Sequence, residues 1–184
     1  MLAFCRWLEA TPWSIALHES LWAYAIIESA HVLSLCVFVG IAVLWDFRLL
    51  RLTLRDVPVS EFLARLMPWM VAGFVVMVVT GALLFFGIPV RSYQSVFFRA
   101  KVVMLILAGV NAWVFHATVG RRVVEWDSAP ILPRAARVAG VVSLCLWAAV
   151  IFSGRMIAYN WFDCDTPQSD LVRTLAGCTD DLRE

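Results

Sequence analysis

Apolar residues gather into four long runs, separated by shorter segments that carry most of the arginines. A hydrocarbon core about 30 Å thick takes roughly 20 apolar residues per crossing helix, which predicts spans at about 23–45, 69–90, 102–120 and 138–159. The second run, WMVAGFVVMVVTGALLFFGIPV, carries no charge, whereas the first holds Glu28 and His31, the third His116 and the fourth Arg155. The pattern predicts an all-α fold, a polytopic membrane four-helix bundle whose spans make two hairpins of similar length.

Ahead of the first span, Phe4, Trp7 and Leu8 recur at helical spacing, as in a short N-terminal helix lying in the membrane interface. Thr11 followed by Pro12 reads as an N-cap with proline at the first helical position, so the main helix is expected to start there and run unbroken to about Leu50. Glu9 and Pro12 do not suit a cleavable signal peptide, and the N-terminus is expected to stay.

The loop from Asp46 to Pro68 carries Arg48, Arg51, Arg55 and Arg65, and that from Arg121 to Arg137 carries Arg121, Arg122, Arg134 and Arg137. The positive-inside rule then puts both termini outside, which for a bacterial inner membrane means the periplasm. Residues 1–162 form the transmembrane domain, and the acidic tail 163–184 is a solvated periplasmic appendage. An oxidising compartment would let Cys164 and Cys178 close a small loop, while Cys5, Cys36 and Cys145, in apolar context, are expected to be small buried hydrophobes.

Composition agrees with a bilayer: 62% of residues are hydrophobic and 16% charged, with a mean hydropathy of +0.82. A net charge of +1 makes no electrostatic case for nucleic acid, and no glycine-rich phosphate loop points to a nucleotide. Lipid is the expected partner.

Depth along the helices locates the candidate chemistry. At 1.5 Å of rise per residue, Glu28 lies about 8 Å and His31 about 12 Å below the outer end of the first span, and Arg155 about 6 Å below the same surface. Lys101 heads the third span, so Glu28, His31, Lys101 and Arg155 can share one layer, with Tyr24 and Tyr159 near its rim. An ionisable group in the bilayer costs about 2.5–3.5 kcal/mol on insertion scales and normally faces a partner within the bundle. Glu28 and His31, three apart, share a helix face. Two readings follow: a Glu28–Arg155 ion pair with His31 hydrogen-bonded to a neighbouring helix, or a cofactor or ion site.

For a cofactor, haem b suits the inventory, with His31 on the iron and Lys101, Arg155 and Arg99 on the propionates. Met104 or Met156 would be a second axial ligand. His116 lies roughly 18 Å away in depth and belongs to a second metal site or to none. Asp46 could anchor helix ends through His116 or Arg48, Asn111 and Thr80 read as polar glue between helices, and Gly73 and Gly81 as points of close approach. Three histidines at such different depths assemble no nucleophile set, and whether the protein is an enzyme stays open.

The stretches ESAHVLSLCVFVGIAVLWDFRLLR and FRAKVVMLILAGVNAWVFH, with GRMIAY near the end, resemble an uncharacterised family of small four-helix bacterial inner-membrane proteins over roughly Trp7 to Tyr159. More distantly the layout is similar to the haem-binding membrane protoporphyrinogen oxidase family and to copper-resistance protein D. The oxidase resemblance implies His31 as a haem ligand and Lys101 as its functional partner. VFVGIAVLWDFRLL stands where that family carries an aromatic and Pro-Arg-Leu signature, so porphyrinogen oxidation does not carry over. The copper resemblance rests on KVVMLILAGVNAW and implies metal handling in the outer leaflet.

These observations together lead to an integral inner-membrane b-type haem or quinone-linked redox protein, a subunit or partner of a larger electron-transfer system. In it His31 ligates iron, Glu28 orients or neutralises, and Lys101 and Arg155 hold carboxylates. The alternatives are copper or proton transport, or an accessory membrane subunit without its own chemistry.

Overall fold

A computed structural model describes residues 1–54, 56–126, 132–159, 162–164 and 167–178. Among them there is no strand, and four α-helices are long and apolar enough to cross a membrane: α3 (Ala23–Leu49), α4 (Val59–Gly87), α6 (Val96–Thr118) and α8 (Arg134–Ile157). Short helices flank them: α1 (Leu2–Glu9), α2 (Pro12–Glu19), α5 (Pro89–Gln94), α7 (Val123–Trp126) and α9 (Asp170–Ala176). Large apolar side chains stay exposed along all four long helices, among them Leu33, Val75, Ile106 and Val141, as expected of lipid-facing surfaces.

The predicted helix from Thr11 to Leu50 is interrupted. Thr11 does cap α2, its hydroxyl accepting the Ser14 amide at 3.4 Å with Pro12 behind it. The helix stops at Ser20, whose backbone turns extended and whose hydroxyl accepts the Ala23 amide at 3.1 Å, starting α3 afresh. A serine that bonds nearby backbone offers the chain an alternative to the helix. Ser14 ties α2 down by donating to the Phe86 carbonyl at 2.8 Å.

The span limits shift as well. α4 begins ten residues before the expected 69, because Val59 and Phe62 are buried and extend it; Pro68 lies inside the helix. α3 ends at Leu49, as expected of a helix running to about Leu50, and Asp46 and Arg48, beyond the predicted span 23–45, are buried in its last turns.

The long helices form two hairpins, α3 with α4 and α6 with α8, joined along α3 and α8. Gly73 permits the α3–α4 contact, since a Cβ there would meet the Phe38 backbone nitrogen at 3.2 Å. Val39, Ala42, Ala108, Trp147 and Val150 fill the middle of the bundle, and Leu49, Val59, Phe115, Trp126, Leu132 and Ala136 fill the end opposite α1 and α9. α4 and α6 pack much less closely on each other, touching through the stacked rings of Phe85 and Phe98. That loose seam is where both cavities lie.

Candidate functional site

A cavity of about 510 Å³ opens at the end of the bundle that carries α1, α5 and α9. Its deeper wall is apolar, with Leu35, Leu84, Phe85 and Val150. Glu28 and His31 from α3, Lys101 from α6 and Arg155 from α8 all line it, together with Tyr24 and with Arg91 on α5. Helix geometry accounts for the convergence: Glu28, His31, Lys101 and Arg155 are five, eight, five and two residues from the near ends of their helices, or about 8, 12, 8 and 3 Å.

His31 is held on one edge. Its Nδ1 lies 3.0 Å from the Thr80 hydroxyl, which also lies 2.6 Å from the Val76 carbonyl. The Val76 contact is the shorter of the two, so we assign the single Thr80 proton to that carbonyl, which leaves the Thr80 oxygen to accept from Nδ1–H. The Met77 carbonyl is a second acceptor beside the ring. The proton therefore sits on Nδ1, and the lone pair is on Nε2, which has no hydrogen-bond partner among the described residues. Gly81 makes room for the ring, since a Cβ there would stand 3.1 Å from Cε1 of His31.

Lys101 extends its ammonium across the cavity to Gly154 of α8, Nζ lying 3.6 Å from where a Cβ would be. It is near enough to His31 to act on it electrostatically and has no hydrogen-bond partner among the described residues. Arg155 donates to the Tyr159 hydroxyl at 3.2 Å, with its guanidinium carbon 5.2 Å from that ring. The expected Glu28–Arg155 ion pair is not formed, whereas the expected hydrogen bond from His31 to a neighbouring helix is.

Arg99 is employed elsewhere. It donates from Nε to the Tyr93 carbonyl at 2.8 Å and from its Nη atoms to the Leu175 and Ala176 carbonyls. A cation on the last carbonyls of a helix complements its dipole, and Arg99 thereby docks α9 on the start of α6 instead of facing the cavity. Cys164 and Cys178 are joined in a disulfide, so residues 170–178 of the tail, expected to be solvated, form a clipped helix.

At the opposite end of the same seam a second, much smaller cavity of about 30 Å³ is lined by His116 of α6, Trp45 of α3 and Met67 and Met70 of α4. Met104 packs in the middle core, and neither it nor Met156 lines either cavity. Asp46 does not meet His116: its side chain is buried near Ser143 of α8, and its Oδ2 has no hydrogen-bond partner among the described residues. Asn111 donates to the Ala139 carbonyl at 3.0 Å, the interhelical role expected of it.

Sequence reasoning missed Arg91, and it gave Thr80 its interhelical role without its partner, His31. Arg91 depends on α5, a six-residue helix after Pro89 with no apolar period of its own to betray it. Thr80 looked central in a span of 69–90; in α4 it is seven residues from the end, about 10 Å deep and level with His31.

No curated protein and no solved structure matches this chain. The model of a family of unknown function, DUF6644, matches residues 16–160, which contain all four long helices and both cavities, and the chain belongs to that family.

Proposed function

We propose that the chain is a membrane redox protein of the b-type haem or quinone-linked class, working as a subunit or partner of an electron-transfer system in the bacterial inner membrane. The observation that carries the reading is the setting of His31: its Nδ1 is engaged by Thr80, its Nε2 has no hydrogen-bond partner among the described residues, and the side chain lines a 510 Å³ cavity. Cofactor pockets of about 300–1,000 Å³ with apolar walls and a few convergent polar groups are usual.

The donor set suits haem b. A neutral imidazole is the right axial donor, and Arg91, Lys101 and Arg155 are cations for two propionates, with Glu28 as the one carboxylate among them. Bound haem would supply one-electron transfer. The apolar wall would exclude water from the ring, Thr80 would hold the imidazole plane, and Glu28 would temper the positive charge beside His31. Among the described residues lining this cavity there is no second imidazole and no thioether, so His31 is the residue that would hold the iron there. The distant likeness to membrane protoporphyrinogen oxidase supports haem on His31 without transferring that enzyme's reaction.

Purified from haem-supplied cells, the protein should show a Soret band that is lost or shifted in His31→Ala and broadened or weakened in Lys101→Met. A colourless preparation would overturn haem b as the group held by His31 and leave only the quinone-linked form of the reading.

A further inference from the structure

The second cavity has a chemistry that the proposed redox site does not use. Met67 and Met70 are three apart on α4, so their side chains share a helix face, and both line the same 30 Å³ space as His116 and Trp45. That volume is the size of one ion or one water molecule, too small for any organic ligand. Pro68, between the two methionines, has no amide proton to give the Ala64 carbonyl, which removes one rung of the α4 ladder at this level.

Two thioethers and an imidazole are neutral donors of soft to intermediate character, and the remaining lining, with Ile41, Phe62 and Leu66, is apolar. Such a set does not suit a divalent hard cation, because nothing in it neutralises charge in a low-dielectric setting. It does suit a soft monovalent cation, for which thioether sulfur is a selective ligand. Trp45 adds an aromatic face, and cations are attracted to the face of an indole above all other rings. His116 is free to take part: it is exposed, and its close neighbours are the Phe115 ring at 5.4 Å and Gly120, where a Cβ would stand 3.3 Å from Nδ1.

We infer that Met67, Met70 and His116, with Trp45 against them, form a binding site for Cu(I) at the end of the bundle away from α1 and α9. The site is separate from the His31 cavity and stands whether or not that cavity holds haem.

The test uses the full chain in detergent under anaerobic conditions, with Cys5, Cys36 and Cys145 replaced by alanine so that free thiols do not capture the metal. Cu(I) is titrated against bicinchoninate, and Ag(I), its oxidation-resistant substitute, is followed by the ¹³C resonances of the methionine methyl groups. One equivalent should bind, moving the Met67 and Met70 methyl signals and no others, with Trp45→Phe removing the accompanying change in fluorescence. Met67→Leu/Met70→Leu keeps the packing volume and should weaken Cu(I) binding roughly 10–100-fold or more, as should His116→Phe, while His31→Ala leaves it unchanged. Shifts confined to other methionines, binding indifferent to the leucine pair, or binding lost with His31 would each overturn the assignment.

Discussion

His31 and Thr80 lie 3.0 Å apart on adjacent helices, and with the Thr80 proton assigned to Val76, the histidine is the donor. A mid-helix threonine thereby decides which imidazole nitrogen faces the cavity.

Thr80→Val keeps the shape and deletes the acceptor, so the Nδ1–H of His31 loses its principal partner. Polar contacts between membrane helices average about 0.6 kcal/mol and reach about 2. A fall in thermal stability of that order is expected, together with a mixed Nδ1-H and Nε2-H population in ¹⁵N spectra of the imidazole. Thr80→Ser should retain the wild-type tautomer; if both variants behave alike, the hydroxyl is not what sets it.

Gly81 and Gly40 make a matched pair. An added Cβ at 81 would press on His31 Cε1 at 3.1 Å, while at 40 it meets nothing within 4 Å. Gly81→Ala should displace the ring and diminish or shift any Soret band, whereas Gly40→Ala should be neutral or stabilise by up to about 1 kcal/mol through helix propensity. Titration of purified apoprotein with haemin separates the two.

The docked tail should respond to two independent changes. Arg99→Gln removes the cation from the α9 carbonyls, and reduction of Cys164–Cys178 opens a loop with a sequence separation of 14. A bridge over a loop of this size is worth about 3 kcal/mol in the chain-entropy account. Either change should speed proteolysis within 167–178, and the two together more than either alone, while the long helices keep their protection. A helix of seven residues does not persist alone, which is why both contacts matter.

Asp46 supplies a prediction about packing. Ser143→Ala would remove the hydroxyl beside the buried Asp46 carboxylate and should destabilise the α3–α8 contact by about 1–3 kcal/mol. Adding Asp46→Leu removes the buried carboxylate itself and should recover most of that loss. Denaturation of the two variants in matched detergent gives the comparison.

Much of this protein was legible from the order of its residues. Four apolar runs long enough for a bilayer leave a helical bundle as the natural outcome, because lipid offers backbone amides no partner outside the helix. The rise per residue alone placed Glu28, His31, Lys101 and Arg155 in one layer, and all four line one cavity. What periodicity could not supply was rotation and termination. That Arg99 turns to the tail while Lys101, two residues on, turns to the cavity depends on where α9 docks, a contact between segments 76 and 77 residues apart. That Thr80 meets His31, and that Met67, Met70 and His116 line one cavity, depends on how far α4 extends and on its standing apart from α6. Depth is a local property of one helix, and the sequence determined it; facing is a property of helix pairs, and only the tertiary structure decided it.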